Sequence, residues 1–270
     1  MSPETAVIAH PAATAAITKR PRYCSLLKYV TLRGGTIADY HRLSRYHYRD
    51  VCLGPVAGIW TLHQHVPQLH FEHAVIGVIV YTYPVPNCAA RKAVLGPQFC
   101  SSDRTCHLRY LNQSIRTISR VVIDPAWRGL GLAAWLVRRT LPCLNVPYIE
   151  SLAVMGFFHP FLEKAGMTRY PTPENKKANR LAQMLNELNI PPTLWHDPEA
   201  VHERILALKG ADSGRLERCV NAFLGPFGRR RHLSQSLERT DFICRKLAWP
   251  PAYYLWRNPD TLCPVKARQS

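Results

Sequence analysis

Residues 118–133 read ISRVVIDPAWRGLGLA, and this stretch narrows the fold further than any other in the chain. Residues 118–123 form a β-branched run suited to an inner strand. Asp124-Pro125 closes it, because proline has no N–H for a ladder. Residues 130–141 carry helical spacing and stop at Pro142, whose ring disfavours helical geometry in the residue before it. Between strand and helix stand Trp127, Arg128, Gly129, Leu130, Gly131, Leu132 and Ala133. Small residues at such a turn let main-chain N–H groups approach an anion, and the helix start adds unpaired donors and positive dipole. Gly131 and Ala133 keep side chains out of the way while Arg128 adds fixed charge, so a diphosphate is the natural ligand.

A glycine pair in a turn also suits a dinucleotide fold. That fold wants the strand to run directly into the glycines and an acidic residue about twenty positions later. Here Asp-Pro-Ala-Trp intervenes, and Glu150 near the acidic position comes without a repeated strand–helix–strand pattern.

The remaining pattern predicts a strand over 26–32, a helix over about 36–46, and a loop after residue 47 holding Pro55 and Gly58. Residues 74–82 (AVIGVIVYT) predict a central strand covered on both faces. A loop over 85–109, a strand over 148–154 and a short helix over 160–165 ending at Gly166 follow. Beyond Tyr170 the chain turns helical. Leu181, Met184, Leu185 and Leu188 share one face of 174–189. Asp197 caps and Pro198 opens a helix through Leu208. Residues 216–224 and 233–247 also read as helices, and 252–256 returns to strand. A helical block bracketed by strands suggests an insertion.

Taken with their setting, residues 128–133 resemble the Arg/Gln-x-x-Gly-x-Gly/Ala signature of the GNAT superfamily of N-acetyltransferases. Val121-Val122-Ile123 is similar to the strand before that signature, and residues 149–154 to the strand after it. Phe161-Leu162-Glu163-Lys164-Ala165-Gly166-Met167 is similar to the family's Tyr-Glu-Lys-x-Gly-Phe ending. Residues 74–82, with Gly77, resemble an earlier strand. The likeness covers roughly residues 26–170 and is strongest over 118–167.

This resemblance implies a mixed α/β fold with a splayed central sheet flanked by helices. It implies an acyltransferase core over 23–170, beside which composition and pattern predict a disordered tail over 1–22, a basic helical insertion over 171–249, and a returning strand with a C-terminal tail over 250–270. The implied activity moves an acetyl or related acyl group from acyl-coenzyme A, acetyl-CoA first, to an amine. The cofactor arm would pair with main-chain groups of Val121 and Ile123, flanking Val122. The pyrophosphate would rest on the N–H groups from Gly129 to Ala133, beside Arg128. Direct attack needs a neutral amine, a donor to the oxyanion and a proton source for the thiolate.

The family's tyrosine donor falls at Leu162, and residues 118–123 hold no Asp or Glu. Tyr48, Ser119, Glu150 and His159 are the candidate catalytic replacements. Glu150 lies in a short apolar strand, either as a base held from water or at a solvated strand end. Ser119 can bond substrate or backbone. His159 stands where the family often has an Asn contacting the cofactor, and is otherwise an ordinary helix-start residue. Tyr48 belongs to a region that shapes the acceptor pocket, or is a surface aromatic.

The acceptor is read from charge. Among 270 residues, Lys and Arg number 35 against 18 acidic residues, for a net charge of +17. Such a field attracts polyanions. The densest basic run is Arg229, Arg230 and Arg231, with Arg239, Arg245 and Lys246 nearby and Phe227, Trp249, Tyr253 and Tyr254 as stacking or core aromatics. DNA or RNA is therefore the expected partner, and the resemblance to the superfamily implies an amine of tRNA or of a DNA base as the acceptor. A protein or small-molecule amine, or an inactive nucleic-acid-binding scaffold, are the alternatives. No apolar run suits a membrane span, and nine scattered cysteines suit a reducing cytoplasm. His63, His65, His70 and His73, with Cys100, Cys106 and His107, lack a Cys-x-x-Cys knuckle, so no metal is expected.

Overall fold

The computed structural model describes residues 25–47, 53–67, 75–99 and 104–262. The predicted tail over 1–22 and Tyr48, His70, His73 and Cys100 lie outside these residues. Seven strands build one sheet: β1 (Val30–Gly34), β2 (Val56–Gln64), β3 (Val75–Thr82), β4 (Ile115–Ile123), β5 (Tyr148–Ala153), β6 (Thr168–Tyr170) and β7 (Ala252–Arg257). Their order is β1-β2-β3-β4-β5-β7-β6. Every neighbouring pair is antiparallel except β4 with β5, which run parallel. The architecture is thus α/β with a mixed central sheet, as the resemblance implies.

β3 is buried at every position, which its unbroken apolar sequence requires. Gly77 within it is a packing necessity: a Cβ there would lie 2.8 Å from Ile123 Cδ1. Helices cover both faces. α1 (Ile37–Ser44), α2 (Ala89–Leu95), α3 (Arg104–Ser114), α4 (Leu132–Thr140) and the single turn α5 (Phe161–Lys164) belong to the sheet domain. A capping box opens α1, Thr36 Oγ1 accepting from the Asp39 N–H at 3.3 Å and Asp39 Oδ2 from the Thr36 N–H at 2.9 Å. α4 and α5 pack on one face through Leu132, Leu136, Val137 and Leu162, against Ile118, Ile149 and Tyr254. The other face is divided. α1 covers the β2–β4 half through Tyr40 and Leu43, while Ala90, Leu95 and Leu111 of α2 and α3 cover Tyr253 and Leu255.

Between β6 and β7 the chain makes α6 (Lys176–Glu187), α7 (Pro198–Ala207), α8 (Gly210–Leu224) and α9 (Leu237–Ala248); α10 (Pro259–Leu262) follows β7. Three of these helices start on side-chain caps, Asn175, Asp197 and Ser236, each accepting from the N–H three residues on. The four helices bury a separate apolar cluster, including Leu181, Leu185, Val201, Leu216, Leu224 and Cys244.

Three sequence expectations need correction. Residues 25–29 wind into a 3₁₀ turn, so the first strand starts at Val30 rather than residue 26. The expected loop after residue 47 contains β2, hidden because register shifts at Val56/Gly58 and Leu62/His63 break the two-residue period. The expected loop over 85–109 instead holds α2, a 3₁₀ turn at Pro97–Phe99 and the start of α3. Cys88 caps α2 without a side-chain bond, so the helix carries no start signal.

Candidate functional site

β4 and β5 pair only at Ile115↔Tyr148, Arg116↔Ile149 and Thr117↔Glu150, and then part. The cause is a bulge in β4. Val80 faces Arg120 and Tyr81 faces Ile118, leaving Ser119 as the extra residue on the strand. A bulge bends its strand, while β5 stays fastened to β7 over its whole length. A gap therefore opens beyond Thr117, its base spanned by a long bond from Ser151 Oγ to Ile118 O, 3.4 Å. The Asp124 N–H donates to Ile76 O at 2.9 Å. By the alternation of an antiparallel ladder, main-chain groups of Val121 and Ile123 then turn away from β3 and toward the gap. Val122 points its side chain into the α1-side core.

At the far end of β4 the chain makes the glycine turn. Asp124 Oδ1 accepts from the Ala126 N–H at 2.9 Å and starts a 3₁₀ turn at Pro125–Trp127, with Trp127 buried. Gly129 (φ +83°) and Gly131 (φ +77°) both occupy the left-handed region that favours glycine. Gly131 caps α4 without any side-chain bond, so the first-turn N–H groups after it meet no capping oxygen. A Cβ at Gly129 or Gly131 would meet no atom within 4 Å. The space over the turn is open, and the donors of Gly129, Leu130, Gly131, Leu132 and Ala133 fit a diphosphate there. Leu132 itself is buried under the helix.

Arg128 serves differently from the simple charge expected. Its Nε donates to Ile123 O at 3.0 Å and its Nη2 to Tyr46 O at 3.3 Å. The side chain thus ties the end of β4 to the segment after α1, and it takes the Ile123 carbonyl that an incoming arm was expected to use. The Ile123 N–H and the Val121 groups remain on the gap side.

The catalytic candidates separate. Glu150 is 1% exposed. Its Oε1 accepts from Arg91 Nη2 at 2.6 Å and Thr117 Oγ1 at 3.0 Å. Its Oε2 accepts from Arg91 Nε and Tyr253 OH, both at 3.0 Å. Neither the solvated strand end nor an available base describes a carboxylate so enclosed and so fully bonded. Ser119 stands on the bulge at the mouth of the gap, its Oγ accepting from Arg120 Nη1 at 3.1 Å. His159 is exposed before α5, its carbonyl accepting from the Phe161 N–H at 2.8 Å. Tyr48 lies outside the described residues, two positions beyond the Tyr46 that Arg128 holds. Leu162, where the tyrosine would fall, is 1% exposed and packed into the main core rather than the gap.

The basic and aromatic candidates also divide. Arg230 lies over the Phe242 ring at 4.5 Å and Arg231 Nε donates to His232 Nε2 at 2.8 Å; the Arg229 backbone shares their 3₁₀ turn. Arg239 forms a two-pronged bond to Glu217 at 2.7 and 2.8 Å, and Arg245 pairs with Asp241 at 2.7 Å, so these two carry spent charge. Tyr253 and Tyr254 are core residues with no exposed surface, which removes them as stacking platforms. Trp249 is 49% exposed and touches Phe158, 54% exposed, with ring centroids 5.4 Å apart. Among the described residues no group of three His, Cys, Asp or Glu side chains converges on a metal position. His63 bonds Thr61 Oγ1 at 3.0 Å and His65 meets the Tyr29 ring edge-on. No described helix is long and apolar enough to cross a membrane.

Two arginines escaped the sequence reading. Arg91 was hidden in a presumed loop, and its partner could not be seen at a separation of 59 residues. Arg120 is 8% exposed beside the bulge. Its signal was available: an arginine in the middle of an apolar strand is costly unless held.

No protein-family model matches the sequence, and no curated protein matches it. Among solved structures, the chain is similar to Rv2747 from Mycobacterium tuberculosis in complex with CoA and NLQ, at 14% identity and TM-score 0.35, over 84% of this chain and 99% of that one. It is similar to AtaTR bound with AcCoA at 17% identity and TM-score 0.33, over 53% of this chain and 87% of that one. A third, SsHAT, has 13% identity and TM-score 0.33, over 53% and 93%. At such TM-scores the likeness decides nothing, and the site stands on its own geometry.

Proposed function

We propose that the chain is an acyl-coenzyme A-dependent N-acyltransferase that transfers an acetyl or related acyl group to an amine. The observation that carries this reading is the bulge-driven gap between β4 and β5, ending at an uncapped helix start behind two left-handed glycines. A long ligand with a diphosphate at one end and an extended amide arm at the other fits those two features together. The N–H groups from Gly129 to Ala133 would hold the diphosphate. The gap-facing main chain of Val121 and the Ile123 N–H would hold the arm, with Arg128 fixing the turn.

When bound, the acyl donor supplies a thioester, already activated toward an amine. The residues of this chain orient it. A main-chain N–H near the bulge at Ser119, at the mouth of the gap, would serve as the oxyanion donor. The Arg120 guanidinium holds Ser119 through both its carbonyl, 2.9 Å, and its hydroxyl, 3.1 Å, and so stiffens that position. Positioning of amine against thioester supplies the larger part of the rate. An amine of DNA or RNA is the acceptor class that the net charge of +17 favours.

Calorimetric titration with acetyl-CoA, paired with detection of thiol release, tests the reading. A β-branched side chain in the left-handed region costs about 1–2 kcal/mol, so Gly131→Val weakens binding roughly 5- to 30-fold. Arg128→Glu weakens it as well. Failure of the wild-type chain to bind acetyl-CoA at millimolar concentration removes the proposal.

A further inference from the structure

The helical insertion sorts its charges. A shallow cleft between α7 and α9 is lined by Asp197, Glu199 and Asp241. The groove between α6 and α8, of about 670 Å³, is lined instead by Lys176, Lys177 and Arg180 on one wall and Arg215 and Arg218 on the other. Glu187 is the one acid in that lining, and Arg215 takes it at 3.7 Å, with Asp212 at 3.4 Å. Lys176, Lys177, Arg180 and Arg218 are exposed and make no ion pair among the described residues. Four unneutralised cations lining one groove repel, and an anion held between them relieves that repulsion.

We propose that the α6/α8 groove binds the phosphodiester backbone of a nucleic acid strand. The shape and the lining choose this anion. A lipid surface is flat and asks for exposed apolar side chains beside the cations. The exposed large hydrophobic residues lie on other elements, Leu206 on α7 and Leu237 on α9 among them, and none is on α6 or α8. A protein partner's interface would centre on large exposed apolar side chains, whereas of the groove's apolar residues Met184 is buried and Cys219 and Ala222 are small. A strand of regularly spaced phosphates needs only two rows of cations along a trough. Lys176 and Arg180 stand one helical turn apart on α6, and Arg215 and Arg218 nearly one turn apart on α8. The run at Arg229–Arg231 gives a weaker site, since Arg230 is committed to the Phe242 ring.

The measurement is fluorescence anisotropy of the full chain with a labelled 20-nucleotide single strand, as DNA and as RNA, across a salt series. Four phosphate contacts give a log–log salt slope of about −3, or roughly 50-fold weaker binding between 50 and 200 mM salt. The Lys176→Gln/Lys177→Gln/Arg180→Gln/Arg218→Gln variant, altered only at exposed positions, is expected to lose that slope while binding acetyl-CoA as the wild type does. Acetyl-CoA affinity thus reports on the acyl-transfer reading and the salt slope on this one, so either can fail alone. An unchanged slope in the fourfold variant overturns the proposal. So does loss of binding on neutralising Arg229–Arg231 alone, or binding of phosphatidylserine vesicles without binding of either strand.

Discussion

Arg91 and Glu150 form an ion pair 1% and 2% exposed in their side chains, at the base of the gap between β4 and β5. The pair joins α2 to β5, and through Thr117 and Tyr253 to β4 and β7. Arg91 Nη1 also donates to Val85 O at 2.9 Å and Pro86 O at 3.3 Å, closing the segment before α2. Removing one member of such a buried pair leaves the other without its counter-charge, at a cost of ~3–5 kcal/mol. Glu150→Gln keeps the side-chain shape but turns an amide N–H₂ against donors. At about 2–4 °C per kcal/mol for a chain near this size, its midpoint should fall by roughly 6–20 °C in a calorimetric melt. Arg91→Met should fall comparably. The double change Arg91→Met/Glu150→Leu should cost less than the two singles together, with a coupling energy of about 2 kcal/mol or more. Acyl transfer by Glu150→Gln, measured below its melting temperature, should stay near wild type. A general base would instead lose roughly 10²- to 10⁴-fold in rate. A variant that melts with the wild type but loses a hundredfold in turnover would refute this placement of Glu150, and additive single costs would refute the coupling.

Two further outcomes follow from titrating groups in the insertion. Burial, followed by the charge of Asp241, pushes the Cys244 thiol up to about 11. Brief alkylation of the native chain at pH 8 should therefore modify exposed Cys143 and spare Cys244, as read by peptide mass spectrometry; equal labelling would contradict its burial. The two-pronged bond from Arg239 holds the Glu217 carboxyl below its ordinary value, against a smaller opposing effect of burial. A depressed folded value means that the stabilisation is present above the unfolded value of about 4.3 and is lost as pH falls through the folded one. The difference in melting temperature between wild type and Glu217→Gln should therefore be largest near neutral pH and close toward pH 3. A difference that widens with acid would reverse the sign of the assignment.

The readable parts of the chain were those whose signal is local. β3 was legible because burial on both faces forces an unbroken apolar run, and β4 through its β-branched residues closed by Asp124-Pro125. The glycine turn was legible because Gly129 and Gly131 hold positive φ, which few other residues tolerate. Helices α6 to α9 were legible through caps such as Asp197-Pro198. Features that depend on distant partners were not. β2 carries two register shifts that only its pairing with β3 reveals. Glu150 reads as a lone carboxylate until α2, 59 positions earlier, brings Arg91 to it. The cationic groove needs α6 and α8 side by side, and nothing in either helix alone distinguishes Lys176 or Arg218 from a solvated residue.

The bulge at Ser119 also bears on Leu162, which stands where the resemblance would put a tyrosine. Leu162 packs with Leu136 and Val137 in the main core, so its position leaves no hole near the gap. What the reaction requires there is modest. A thiol with an ordinary value near 8.5 leaves as its anion close to neutral pH with little help from an acid. The amine, by contrast, must arrive neutral and in line, and that depends on the pocket that positions it. The demanding parts of the proposed transfer are therefore ones for which this chain offers features: a gap made by a one-residue bulge, main chain turned toward it, and an open helix start at its end. A leucine in place of a proton donor leaves the proposed transfer chemically feasible, whereas a side chain on Gly131 strains the turn that the proposed donor would rest on.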